Sequence, residues 1–289
     1  MAVGSPAVGT TMSDGGEGRA RYVCVTCGTQ HAQTDGPPPA CPICDDERQY
    51  VGWEGQQWTT LGRMLEKYRN EAREEEPGLH SILTQPPFAI GERAFLVRTG
   101  RGNLLWDCVT LLDDATVAEV KALGGIDAIA ISHPHFYTTM IEWSHAFGGV
   151  PVHLHEADRR WVMRPDPVID FWRGESKGLF GGLRLVNVGG HFAGSQALYW
   201  PGGAGGRGVL LSGDLPQVCR DRRWVSFMYS YPNLIPVAAP AVRRIVDVLE
   251  PLSYDRLYGA FAGLTVPEDA KAAVRRSAER YLRAIGAEA

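Results

Sequence analysis

Along this chain, short apolar runs bounded by turn residues alternate with stretches whose apolar positions recur every three or four residues. Ala94 to Arg98 and Leu104 to Val109 read as two strands joined across Gly100-Arg-Gly-Asn103. Ala115 to Leu123 is predicted to be a helix with a capping box from Thr116 to Glu119. Ile126 to Ser132 reads as a buried strand, residues 138 to 147 as a helix and Val150 to Leu154 as a strand. Further short strands are expected over Leu183 to Val188, Ala197 to Trp200, Val209 to Ser212 and Arg256 to Tyr258. Ala241 to Leu249 and Pro267 to Ile285 are predicted helices, the second amphipathic with Pro267 in its first turn. Upstream, Thr59-Thr60 opens a predicted helix running to about Glu76, with Leu61, Met64, Leu65 and Tyr68 at helical spacing and Pro77-Gly78 closing it. Strand hairpins interspersed with helices imply sheets covered by helices, a layered α/β arrangement.

Composition narrows the class. The chain has 289 residues, 44% of them hydrophobic, but no apolar run approaches the roughly 18 needed to span a bilayer, so no membrane partner is expected. The 33 acidic and 29 basic residues are mixed along the chain and sum to a net charge of -4, so no nucleic-acid partner is expected either. A small-molecule substrate is the expected partner, and oligomeric state is left open. Residues 1–20 are small, polar and glycine-rich, which predicts a disordered tail. They lack the basic start and apolar core of a secretion signal, so a cytoplasmic location is expected.

That location decides how the six cysteines are read. Cys24, Cys27, Cys41 and Cys44 form two C-x2-C pairs, whereas Cys108 and Cys219 stand alone and read as small buried hydrophobes. In a reducing compartment, four paired thiolates serve a metal rather than two disulfides. Each C-x2-C turn lets two sulfurs converge on one ion, and two turns complete a tetrahedral shell. A core of about 30 residues needs such a staple. Residues 21–50 are therefore read as a four-cysteine module, with residues 51–78 as a linker carrying the helix. The Cys24-Val-Thr-Cys27-Gly28 and Cys41-Pro-Ile-Cys44 turns resemble rubredoxin-like and zinc-ribbon modules, most closely the short rubredoxin domain of rubrerythrins. The resemblance implies Zn2+ or iron there, with zinc favoured.

A second metal signal lies at the exit of the strand Ile126 to Ile131, where Ser132-His133-Pro-His135 places two imidazoles. In extended backbone, residues i and i+2 face one side, so both reach one ion. Val188-Gly-Gly-His191-Phe-Ala-Gly-Ser195 and Val209-Leu-Leu-Ser-Gly-Asp214 each set one ligand-type residue in a turn of small residues beside an apolar strand. Together with Leu105-Trp-Asp107, these motifs resemble the metallo-β-lactamase superfamily over roughly residues 80 to 265, within a domain taken as 79–289. The resemblance implies an αββα sandwich with His133, His135 and His191 forming a metal site, Asp214 as its carboxylate ligand, and Asp107 supporting the metal loop.

Family members with two metals carry His-x-His-x-Asp-His, but here Phe136-Tyr137-Thr138 follows His135. Leu257 to Gly263 offers no ligand where the last family histidine is expected. One ion, zinc or iron, is therefore expected on His133, His135, His191 and Asp214. Its bound hydroxide would attack an ester, lactone or thioester, with Asp214 and Tyr137 as the candidate catalytic side chains. Two alternatives remain. His133, His191 and Asp214 alone form a triad suited to iron(II), similar to the superfamily members that oxidise glutathione persulfide. The lost ligands also allow a degenerate, non-catalytic metal-binding protein. The segment Arg164 to Gly182 reads as a possible lid, Tyr229, Tyr231 and Pro232 as cleft lining, and His153 and His155 as structural.

Overall fold

The computed structural model describes residues 19–287; the tail expectation for residues 1–20 falls almost wholly outside them. The cysteine module opens the described chain, with β1 (Val23–Cys24) pairing antiparallel with β2 (Trp58–Thr59) across both cysteine knuckles. A seven-stranded sheet follows in chain order: β3 (Arg69–Glu76), β4 (Leu79–Gln85), β5 (Arg93–Thr99), β6 (Gly102–Trp106), β7 (Ala128–Ala130), β8 (Val152–His155) and β9 (Ile169–Trp172). It is antiparallel as far as β6 and parallel from there to β9. The second sheet begins with β10 (Ser176–Gly178), β11 (Arg184–Asn187), β12 (Gln196–Trp200) and β13 (Val209–Leu211). The chain then leaves it for two small hairpins, β14 (Gln217–Val218) with β15 (Val225–Ser226) and β16 (Met228–Ser230) with β17 (Ile235–Pro236). It returns through β18 (Arg256–Tyr258), parallel to β13, and β19 (Thr265–Val266).

Alternation along the strands builds four layers. Phe95, Val97, Leu104 and Trp106 point between the sheets, where they meet Leu185, Leu198, Val209, Leu211 and Tyr258 of the second. The intervening Ala94, Leu96 and Leu105 point the other way, into a cluster under the helix Met140–Ala146 that also contains all four module cysteines. Helices Ala239–Leu249 and Ala270–Ala284 cover the outer face of the second sheet. The αββα sandwich expected from the motifs is the observed architecture. The module is not a free appendage but one end of the first helical layer. Its knuckle residue Gly28 has φ +77 and packs on Thr110, whose Oγ1 would lie 2.2 Å from an added Cβ. Among the described residues, no helix is long and apolar enough to cross a membrane.

Several predicted elements differ from those observed. The helix expected from Thr60 to Glu76 ends at Leu65, and Arg69–Glu76 is an edge strand. Its run of helix-forming Glu, Ala and Arg is outweighed by an antiparallel ladder with β4. The predicted capping box is replaced by Asp113, whose side chain accepts the Thr116 N–H. Pro267 lies outside its helix, which starts after Asp269. Arg164 to Gly182 is not a lid, because it contributes β9 and β10, each at a sheet edge.

Candidate metal centre

His133 extends from the end of β7 (φ -169) and caps the one-turn helix Pro134–Phe136, so the strand's exit swings both imidazoles toward the same edge of the sandwich. His191 comes from the turn after β11, and Asp214 from the turn after β13. The four side chains are buried, and one ligand atom from each lies within 4.8 Å of the others. His191 Nε2 is 3.2 Å from His135 Nδ1, and Asp214 Oδ2 is 3.5 Å from His133 Nε2 and 3.8 Å from His191 Nε2.

The surrounding residues prepare these atoms to be ligands. The Tyr229 carbonyl lies 2.7 Å from His191 Nδ1 and can only accept, so that nitrogen carries the proton and Nε2 keeps its lone pair. Burial is the first cause lowering both His135 and His191, the latter to about 3, and the neighbouring imidazoles lower them further. Both rings are therefore neutral at physiological pH. Burial alone would raise Asp214, but the His133 and His191 imidazoles beside it leave it below the usual carboxylate range. His133 Nε2, His135 Nε2 and Asp214 Oδ1 are buried without a partner. Unpartnered buried atoms on two imidazoles and a carboxylate, beside the His191 ring, are costly without a cation and fit one well.

Asp107, at φ 59, accepts the Ser132 N–H at 2.6 Å, and Ser132 Oγ is 2.9 Å from His133 Nδ1. This is the metal-loop support expected of Asp107. Gly213 (φ +58) brings Asp214 in so closely that an added Cβ would lie 2.5 Å from Ser132 Oγ.

The four cysteines form the second cluster. They are buried and free, with Cys24 and Cys44 Sγ 3.5 Å apart and Cys27 and Cys41 Sγ 3.7 Å apart. A disulfide would need about 2.05 Å. A tetrahedral ion with metal–sulfur bonds of about 2.3 Å has sulfur–sulfur edges near 3.8 Å, so the spacing fits a metal. Hydrogen bonding from neighbouring sulfurs holds Cys24 and Cys41 below the usual thiol range and pushes Cys27 and Cys44 above it.

A cavity of about 150 Å³ opens onto the histidine cluster, with His135, His191 and Asp214 in its wall. Tyr231 and Pro232 line it as expected, and Tyr231 Oη also donates to the Asp214 carbonyl at 2.8 Å. The remaining wall was not foreseen. Arg48, Gln49 and Tyr50 enter from the cysteine module, Ile90 and Phe261 from loops, and Gln217 from β14. Tyr137 is not with them. It is 2% exposed and lines a separate small cavity with Met140 and Met163, so its position corrects the expectation that it contacts substrate. Tyr137 and Thr138 stand where the second-site carboxylate and histidine of the two-metal pattern would be, and both are buried; Phe136 before them is fully buried against the His133 ring. His153 pairs with Asp170 at 2.9 Å, away from the cluster.

Comparison with known proteins bears on family and fold. No family model matches the chain. The uncharacterized protein YmaE of Bacillus subtilis (strain 168) is 51% identical over 269 residues, spanning 92% of this chain and 97% of that protein. The chain belongs to the same family as YmaE. Among solved structures, VMB-1 aligns with a TM-score of 0.57 at 11% identity, over 75% of this chain and 98% of that one. The metallo-β-lactamase DIM-1, solved after exposure to ceftazidime, aligns at 0.54 and 11% identity, over 73% and 97%. The fold is that of the metallo-β-lactamases.

Proposed function

We propose that this protein is a metal-dependent hydrolase that uses a single divalent ion, zinc in the first instance, to cleave an ester, lactone or thioester. The observation that carries this reading is the convergence of His133, His135, His191 and Asp214 at a cleft, with His133 Nε2, His135 Nε2 and Asp214 Oδ1 buried and unpartnered. An ion bound there would act as a Lewis acid on a carbonyl and bring the pKa of a bound water near 7. The protein's own part is positioning. Tyr229 fixes the His191 tautomer, Ser132 and Asp107 hold the His133 loop, and Tyr231 holds the Asp214 backbone. Asp214 points Oδ2 at the histidines and leaves Oδ1 unpartnered, so its carboxylate would help hold the ion and would have an oxygen free to accept a proton from the attacking water. Ile90, Tyr50, Pro232 and Phe261 give the cleft apolar walls.

The iron triad reading needs His135 outside the shell. His135 offers a ligand atom within 4.8 Å of those of His133, His191 and Asp214, which favours four ligands over three. Metal-loaded protein should hydrolyse members of an ester, lactone and thioester panel and take up no oxygen with persulfides. Oxygen uptake without hydrolysis would replace this reading with the oxygenase.

A further inference from the structure

The second knuckle is followed at once by Asp45, Asp46, Glu47, Arg48 and Gln49, and this segment reaches across to the histidine cluster. The knuckle closes with Cys44 and Asp45 N–H groups on the Cys41 carbonyl, at 2.9 and 3.0 Å. Asp46 Oδ1 accepts from the Arg48 backbone N–H and from its Nη1. That fork places Arg48 between two rings, 4.5 Å from the Phe192 centroid and 4.4 Å from that of Tyr229. Arg48 Nε donates to the His191 carbonyl at 2.6 Å.

The same segment fixes the strand that orients the His191 ring. Tyr229 Oη donates to Glu47 Oε1 at 2.6 Å, Ser230 Oγ to the Arg48 carbonyl at 3.0 Å, and Asn233 Nδ2 to the carbonyls of Glu47 and Gln49. His191 is thus held at its carbonyl by Arg48 and at Nδ1 by Tyr229, and both holders are anchored to residues that directly follow Cys44.

We infer that Arg48 is a positioning residue for His191, through which the four-cysteine cluster sets the metal affinity of the histidine cluster. This rests on the reading that His133, His135, His191 and Asp214 bind a metal. The thiolate cluster then does more than staple a small module, since an ion on its sulfurs fixes the knuckle, the knuckle fixes Arg48, and Arg48 fixes a ligand of the other site. Coupling of this kind is reciprocal, so metal at the histidines must tighten metal at the thiolates by the same factor. Outer contacts to metal-binding histidines are typically worth 10- to 100-fold in metal affinity.

The test is chelator-competed Co2+ titration of the full-length protein and of Arg48→Met, which keeps an apolar stem between the rings but loses the donors. Sulfur-to-cobalt charge-transfer absorption reads the thiolate cluster, and the visible d–d absorption left after subtracting the spectrum of Co2+-loaded His191→Ala, which carries the thiolate cluster's own d–d bands, reads the histidine cluster. Arg48→Met is expected to lower histidine-site affinity about 10- to 100-fold with a shifted d–d band, an unchanged charge-transfer band and an unchanged melting temperature. Releasing the thiolate metal with an organomercurial should lower wild-type histidine-site affinity by a similar factor, and that of Arg48→Met by less than about twofold further. Unchanged histidine-site affinity in Arg48→Met would overturn the inference. So would a fall that tracks loss of melting temperature, which marks a weaker fold. If wild-type protein gives no d–d absorption beyond that of His191→Ala, the metal reading itself fails and the coupling with it.

Discussion

Glu92 immediately precedes β5 and is 5% exposed, with Oε2 unpartnered. Burial pushes its carboxyl up to about 8; its own backbone amide opposes the rise, and the charges of Asp107 and Asp214 add to it. At neutral pH it is a buried carboxylic acid, and the cost of ionising it belongs to the folded state. Because its folded value exceeds the unfolded one of 4.5, its stabilising contribution is complete below about pH 4.5 and is lost as pH rises through about 8. One proton linked over that interval, at about 1.4 kcal/mol per pH unit, amounts to a total on the order of 5 kcal/mol. Glu92→Gln keeps the volume and cannot ionise. Urea unfolding followed by tryptophan fluorescence, at fixed free metal and in half-unit steps from about pH 5 to 8, compares the two proteins. Wild-type stability should fall relative to Glu92→Gln by up to about 1.4 kcal/mol per pH unit. Parallel curves would show that Glu92 does not carry a retained proton, and the reasoning would be wrong.

Other substitutions test separate parts of the site. Gly213→Ala forces a Cβ to 2.5 Å from Ser132 at φ +58, so it should cost about 1–3 kcal/mol and weaken histidine-site metal, seen by thermal melting and chelator competition. Tyr137→Phe, away from the cleft wall, should leave kcat/KM on any substrate found within about twofold; a loss of tenfold or more would restore the tyrosine to the reaction. Cys44→Ser should remove one metal equivalent from the purified protein, measured by elemental analysis, and a full complement would exclude a thiolate site.

Much of this architecture was legible because local and global preferences agree. Phe95 and Val97 alternate with Ala94 and Leu96, and the structure sends each set to its own layer. His133, His135, His191 and Asp214 sit at strand exits flanked by small residues, and those exits meet at one edge of the sandwich. What the sequence hid depends on long-range pairing. Arg69–Glu76 carries helix-forming residues along its whole length, and only its ladder with β4 makes it a strand. Arg48, Gln49 and Tyr50 gave no signal of a role, because it arises only when the cysteine module docks beside the second sheet's loops. Tyr137 misled in the opposite sense, being next to a ligand in sequence yet turned into the core by the helical turn from Pro134.

The central claim is that this chain holds two separate metal ions, one on four thiolates and one on three histidines and an aspartate. Metal content per chain, measured by elemental mass spectrometry on wild type and His191→Ala purified without chelators, tests it most directly. Two equivalents in the wild type and one fewer in His191→Ala are predicted. A wild type carrying only one equivalent, or a variant that keeps both, would contradict the account.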